Sequence, residues 1–432
     1  GLGDVYKRQD ASKRGASKGN SSIIIGTENV DKGGTKEHAG SNDGILGSNN
    51  TIQESNGAFV TGAFNHVSDS YQFGQLSASE QQKLAQAMAD GKPLGKYIGK
   101  WGSHVFVTGD GNTVSQGMNV TISGSQNTVK NSKSQTVIGD SNKITDRNAG
   151  TVSGKQEERT KNVSDLVIGK GNDISGNDTY MKGYESLTVI GNNNKAVNPS
   201  SSIVIGDNQR LSAIEESVVI GSMTPEEKAS GKREQGGGSV VVGYNAQSGR
   251  GLNVAVGHSA LALGHEGTVT GHNSVIEGND NSFPNIWSSI YGVNNKITSN
   301  GNTSNGIAGS IIGTWNKLDN ADNSMIFGSG NILSHATVDM SSGLEGTFGQ
   351  GAMTELLFRS GYQEGYSDQA AKVMGDFANT SGSVLIAGNG NRSDYARRSQ
   401  IVGTGNVLNG TANGTSANNT MAGFQNTGTN VN

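Results

Sequence analysis

Cysteine is absent from this 432-residue chain, so it can build neither a disulfide framework nor a thiolate metal site. Proline occurs only 4 times, and aromatic residues make up 5% of the chain, little for one large compact core. No charge of one sign prevails: the net charge is −4 and no long basic run occurs, which argues against nucleic acid as the main partner. No apolar stretch reaches the ~18 residues of a membrane-spanning helix. No secretory leader pattern is visible. With only 32% hydrophobic residues, such a composition is shared with disordered chains, and a regular aliphatic pattern is what argues against disorder.

That pattern is present. A short aliphatic strand closed by glycine, with asparagine three residues later, recurs in roughly nineteen copies, the mark of a stacked-rung protein. Clear copies run from Ser22 to Val30, Gln135 to Ile144, Ser202 to Leu211 and Ser399 to Leu408. Gly109, Gly124 and Gly139 are spaced by fifteen, and Gly243, Gly257 and Gly271 by fourteen. The expected structural corners pair Gly26 with Asn29, Gly109 with Asn112, Gly124 with Asn127, Gly139 with Asn142, Gly313 with Asn316 and Gly403 with Asn406. Gly206, Gly243 and Gly257 mark further corners. Glycine and asparagine enter left-handed backbone at little cost.

The residue two before the glycine is apolar in every copy, as in Ile24, Val107, Val204 and Ile326, and must face a core. Strand alternation puts its neighbours on the opposite face. That face is too often Ile or Val to be simply wet, and is a second contact surface. Another aliphatic often follows two residues past the asparagine, as in Ile52, Val129 and Leu318. One rung thus reads as strand, Gly-x-x-Asn corner, short strand and polar return. Stacked asparagines can form hydrogen-bonded ladders.

The fold class expected is all-β: a parallel β-solenoid of ~14–15-residue rungs, too short for hexapeptide helices of about eighteen. At about 4.8 Å per rung, the stack would extend roughly 90 Å. A thin rung buries little area, so an obligate oligomer covering the second aliphatic face is expected.

The expected organisation is a leader over 1–19, rungs over 20–70, a helical insertion over 71–102, rungs over 103–333, a helical insertion over 334–380, and rungs over 381–432. Gly1 to Gln9 resembles translated library-adapter sequence, and the chain reads as an internal fragment of a longer protein. Ser77 to Glu80 fits a capping box that opens a helix ending by Gly91. Thr224-Pro225-Glu226-Glu227 is another helix start, and Met353 to Arg359 and Asp368 to Phe377 look helical. Thr145 to Ser164 reads as a polar, charged loop.

Catalytic motifs are missing: there is no G-x-S-x-G, no H-E-x-x-H and no Walker loop. Asp110, Asp140 and Asp207 follow corner glycines and read as turn chemistry rather than as a carboxylate pair. His258 and His272 occupy the same rung position and should stack, with no cysteine or carboxylates to complete a metal site. No catalytic residue, metal or cofactor is expected. The binding candidates are Lys96, Tyr97, Lys100 and Trp101 on the first insertion, with Trp287 and Trp315 placed to cover an edge or a seam between subunits.

Gly237 to Ala262 contains SVVVGYNA and NVAVGHSA, fourteen residues apart. These resemble the head repeat of YadA-like trimeric autotransporter adhesins, over about forty residues; elsewhere the likeness is one of periodicity. The resemblance implies a left-handed β-roll, a homotrimer with three rolls side by side, and display on a bacterial outer membrane through an anchor outside this sequence. It implies non-catalytic attachment to host matrix, cell-surface glycans or proteins, or other bacteria. Alternatives are a phage tail fibre or tailspike segment, a right-handed β-helix acting on polysaccharide, and a two-partner-secretion haemagglutinin.

Overall fold

The computed structural model of the protein describes residues 16–17, 22–32, 43–53, 55, 57–70, 82, 86, 104–147, 164–176, 186–212, 214, 216–225, 234–235, 238–249, 253–263, 267–277, 287–299, 308–336, 382–412 and 416–431. The architecture is a parallel β-solenoid: short strands pair in parallel with the equivalent strands of the next rung. The chain forms two compact units, Gly1–Glu234 and Gln235–Asn432.

In the first unit the longer strand of each rung carries the aliphatic triplet. Register is set by its middle residue: Val137 lies opposite Val167, Val167 opposite Val189, Val189 opposite Val204, and Val204 opposite Val219. All five are buried. The shorter strands stack Ile52, Val67, Val114 and Val129 into a second buried column. Full burial of each such side chain is worth roughly 1.5–3 kcal/mol, and a one-residue slip would turn every one of them outward.

The return segment is polar, yet part of it faces inward, where the sequence pattern carries no hydrophobic signal. Ser132, Ser202 and Ser217 are buried there. The Ser202 hydroxyl donates to the Ser200 carbonyl at 2.7 Å and accepts the Ser217 N–H at 3.1 Å. Small hydroxyls thus cap the turning backbone from inside, which keeps buried N–H groups satisfied.

The largest departure from the sequence reading is at Arg147. Arg147, near the start of the stretch read as a charged loop, and Asp165, the residue just after it, are both buried. The guanidinium holds both carboxylate oxygens, at 2.8 and 2.9 Å, and donates to the Pro199 carbonyl at 2.7 Å. Gln135 Nε2 and the Leu187 N–H also donate to Asp165, at 2.8 and 3.1 Å. Five donated bonds make this burial tolerable.

In the second unit the first three rungs, Val240–Val242, Val254–Val256 and Thr268–Thr270, repeat every fourteen residues. Their corners carry Ala246, Ala260 and Ser274 instead of asparagine. From Ser289–Val293 onward the asparagine corner resumes, and Ile290, Ile311, Ile326, Ile386 and Ile401 form one buried column.

Several expectations fall on or beside undescribed residues. Ala16–Ser17, within the expected leader, pair in parallel with Val30–Asp31. Gln82 and Gln86 are helical, while Thr224 and Pro225 are not. The rest of the expected first insertion, residues 226–233, and the expected helices over 353–359 and 368–377 lie outside the described residues.

Candidate interaction surface

Each corner is built from two residues. The corner glycines have φ between +116° and +140°, as at Gly62, Gly206 and Gly313. A Cβ at Gly206 would collide with the carbonyl oxygen of Gly221 in the next rung. Glycine is therefore required twice, by backbone angle and by the close approach of the next rung.

The asparagine three residues later is buried and links rungs. Asn127 Nδ2 donates to Asn112 Oδ1 at 3.0 Å and to the Gly139 carbonyl at 2.6 Å. Its Oδ1 accepts the Asn142 N–H and Asn142 Nδ2, both at 3.0 Å. The same pattern runs through Asn29, Asn50, Asn65 and Asn112 before it and Asn172 and Asn194 after it. Gln209 ends the series, reaching the Gly221 carbonyl at 2.6 Å. In the second unit a ladder joins Asn295, Asn316, Asn331, Asn391, Asn406 and Asn426.

A second ladder, running on the outside, was not foreseen from the sequence. The side chain directly after a corner glycine accepts the N–H of the equivalent residue in the preceding rung. Asp110 Oδ1 accepts from Ala63 at 2.8 Å, Asp140 from Ser125 at 2.9 Å, and Asp207 from Asn192 at 2.7 Å. These three aspartates are thus turn acceptors separated by whole rungs, as their turn chemistry implies. His272 does the same through Nδ1, accepting the His258 N–H at 3.2 Å. The His258 and His272 rings lie one above the other but tilted by 49°, with centroids 6.3 Å apart. They follow one column without the stacking expected, while Tyr244 stacks on His258 at 5.6 Å. Asp, Asn, Ser and His share the one property this place requires, an acceptor near the backbone.

Outward of the core column, the neighbours of the middle strand residue form an exposed aliphatic face. In the first unit it carries Leu46, Phe59, Phe106, Ile138, Ile203 and Ile205, with the Phe59 and Phe106 rings stacked at 5.3 Å. In the second it carries Val240, Tyr291, Ile312, Phe327 and Val402. Monomeric soluble proteins rarely expose contiguous apolar patches of more than a few hundred Å².

One buried acid stands apart. Asp43 lies where most rungs carry a small or apolar residue, and desolvation pushes its pKa up to about 7, against the pull of the Ala58 N–H donated at 2.8 Å. The nearby Asp31 carboxylate adds to the rise.

Among the sequence candidates, Trp315 is highly exposed at a corner and Trp287 is half-buried in the turn that leads into Ser289–Val293. Lys96, Tyr97, Lys100 and Trp101 lie outside the described residues. Among the described residues no group of three or more His, Asp or Glu could hold a metal ion, and no helix is long and apolar enough to cross a membrane. Compared with known proteins, the chain matches no family model, and no curated protein matches it.

Proposed function

We propose that this chain is the head region of a bacterial surface adhesin that binds without catalysis, and that three copies pack side by side through their outward aliphatic columns. The observation that carries this reading is the exposed face itself. Both units present Ile, Val, Leu and aromatic side chains outward from the same strand whose middle residue fills the core. A second copy is the economical way to cover a face that repeats with the rung, since only a partner of the same repeat stays in step with it. The YadA-like rungs from Gly237 to Ala262 support a trimer and display on an outer membrane. Three copies would multiply weak contacts by avidity. Asp110, Asp140 and Asp207 are engaged as turn acceptors on separate rungs rather than paired across a cleft, which supports a binding role for this face.

The test is the mass of the full chain in solution by light scattering, paired with the double variant Ile203→Lys/Ile205→Lys. A trimer that the double variant splits into well-folded monomers supports the reading. A wild-type chain that is monomeric and well folded sinks it.

A further inference from the structure

Two aromatic side chains stand where the fold gives them no packing. Trp315 and Phe64 each sit two residues past a corner glycine, in left-handed backbone at φ +59° and +57°. They are 70% and 67% exposed. The same place holds Asn245, Ser259, Asn273 and Asn294 in neighbouring rungs of the second unit. A bulky side chain in left-handed backbone is strained, and strain of this kind concentrates at functional sites. An indole left in water gains nothing from burial. The left-handed backbone belongs to the corner in almost every rung; the stability of a rung does not explain why an exposed aromatic takes that place.

A strip of bare backbone follows each aromatic. After Trp315 the stacked places are Gly330, Gly390 and Gly405, and then Gln425. A Cβ at Gly390 would meet nothing within 4 Å, and one at Gly330 only a backbone nitrogen 3.9 Å away. The strip closes where Gln425 Cγ lies 3.3 Å from a Cβ placed on Gly405. In the first unit Phe64 is followed by Gly111 and then by Gln126, whose Cγ is 3.7 Å from a Cβ placed on Gly111. Aromatic, glycine, glutamine is therefore a recurring order. Beside the longer strip run half-buried Thr314 and exposed Ser329, Asn389 and Thr404, all uncharged. The Thr314 and Ser329 hydroxyls bond at 3.0 Å, and Asn389 Oδ1 accepts the Ser329 N–H at 3.1 Å. This leaves the Asn389 amide N–H groups and the Thr404 hydroxyl to face a ligand.

We propose that the strip from Trp315 to Gln425 binds a linear neutral oligosaccharide. The exposed indole offers a flat apolar face to the C–H face of one pyranose. The glycine floor lets the following rings lie against backbone, and the hydroxyl and amide column recurs at about 4.8 Å, close to the length of one sugar unit. The lack of charge along the strip disfavours phosphate and acidic peptides. This names a ligand class for the binding role proposed above and does not depend on the trimer.

The test is calorimetric titration of the full chain with linear tetrasaccharides of β-1,4-glucose, β-1,4-N-acetylglucosamine and α-1,6-mannose. At least one is expected to bind. Trp315→Ala and Gly390→Asn should each weaken that binding at least tenfold, with circular dichroism and mass unchanged. Gly390→Asn keeps the fold, because asparagine already holds this left-handed corner at Asn245 and Asn294, and it fills the floor without removing the indole. The proposal is overturned if none of the three sugars binds at millimolar concentration, or if either variant binds like the wild type. A monomer that still binds the sugar leaves this site standing and removes the trimer; a trimer that binds none of the three does the reverse.

Discussion

Replacing Asn127 by alanine removes four side-chain hydrogen bonds at once: two donated by Nδ2, to Asn112 Oδ1 and the Gly139 carbonyl, and two accepted by Oδ1 from Asn142. Two of the lost partners are backbone groups, the buried Asn142 N–H and the half-buried Gly139 carbonyl. Leaving a buried polar group unpaired costs about 1–3 kcal/mol, and a half-buried one less, so the pair sets an expected loss of about 2–4 kcal/mol before the small cavity is counted. Serine should lose roughly half as much. At Ser274 the chain already uses that substitute: the hydroxyl donates to the Gly292 carbonyl at 2.9 Å and accepts the Asn295 N–H at 3.2 Å. Aspartate should be worst, because it keeps the acceptor but turns a carboxylate oxygen toward the Gly139 carbonyl. Stacked repeats unfold in steps, so the global transition alone is a blunt readout. The sharper assay is native-state hydrogen exchange at the Asn142 amide, with urea unfolding of the first unit beside it. A stability change in Asn127→Ala below about 0.5 kcal/mol, with Asn142 still protected, would refute the view that the ladder holds rungs in place.

Gly206→Ala should prevent the rung from closing against Gly221, and soluble yield with a β-type circular dichroism spectrum is the check; a folded variant of wild-type melting temperature would contradict the collision. Asp43 has a folded pKa of about 7, above the ordinary carboxylate value of 3.8, so the folded state holds a proton that the unfolded chain releases. Its contribution is therefore full below pH ~4 and is lost as pH rises through 7, by at most about 4 kcal/mol. Asp43→Asn should flatten that decline, and equal pH slopes in variant and wild type between pH 4 and 8 would refute the burial effect. Arg147→Met strands the Asp165 carboxylate and should cost about 3–5 kcal/mol in urea unfolding, while Arg147→Met/Asp165→Asn should regain most of it.

The part of the fold legible in the sequence is the part that repeats with a hydrophobic or conformational signal. Val137, Val167 and Val204 alternate with outward neighbours, and the glycine and asparagine of each corner announce left-handed backbone, so the solenoid, its rung length, the outward aliphatic face and the asparagine ladder follow from the chain alone. The inward return did not, because Ser132, Ser202 and Ser217 look like any polar turn until the backbone around them is closed. The outer ladder was hidden by chemical variety, since Asp140, Ser222 and His272 share an acceptor and little else. Arg147 and Asp165 flank a charged stretch, and single-chain reading assigns such residues to solvent. The candidate glycan strip escaped for the opposite reason: it is written in what Gly330 and Gly390 lack.

Asn316 and Asn331, fifteen residues apart, make the same bond as Asn331 and Asn391, which are sixty apart. A fourfold longer connection adds only about 1.2 kcal/mol of closure entropy. The register is therefore indifferent to what is threaded between two rungs. Foreign segments of tens of residues could be grafted after Ala336 or Ser70 at small cost, and the roll would serve as a rack on which unrelated loops are held at fixed, countable spacings.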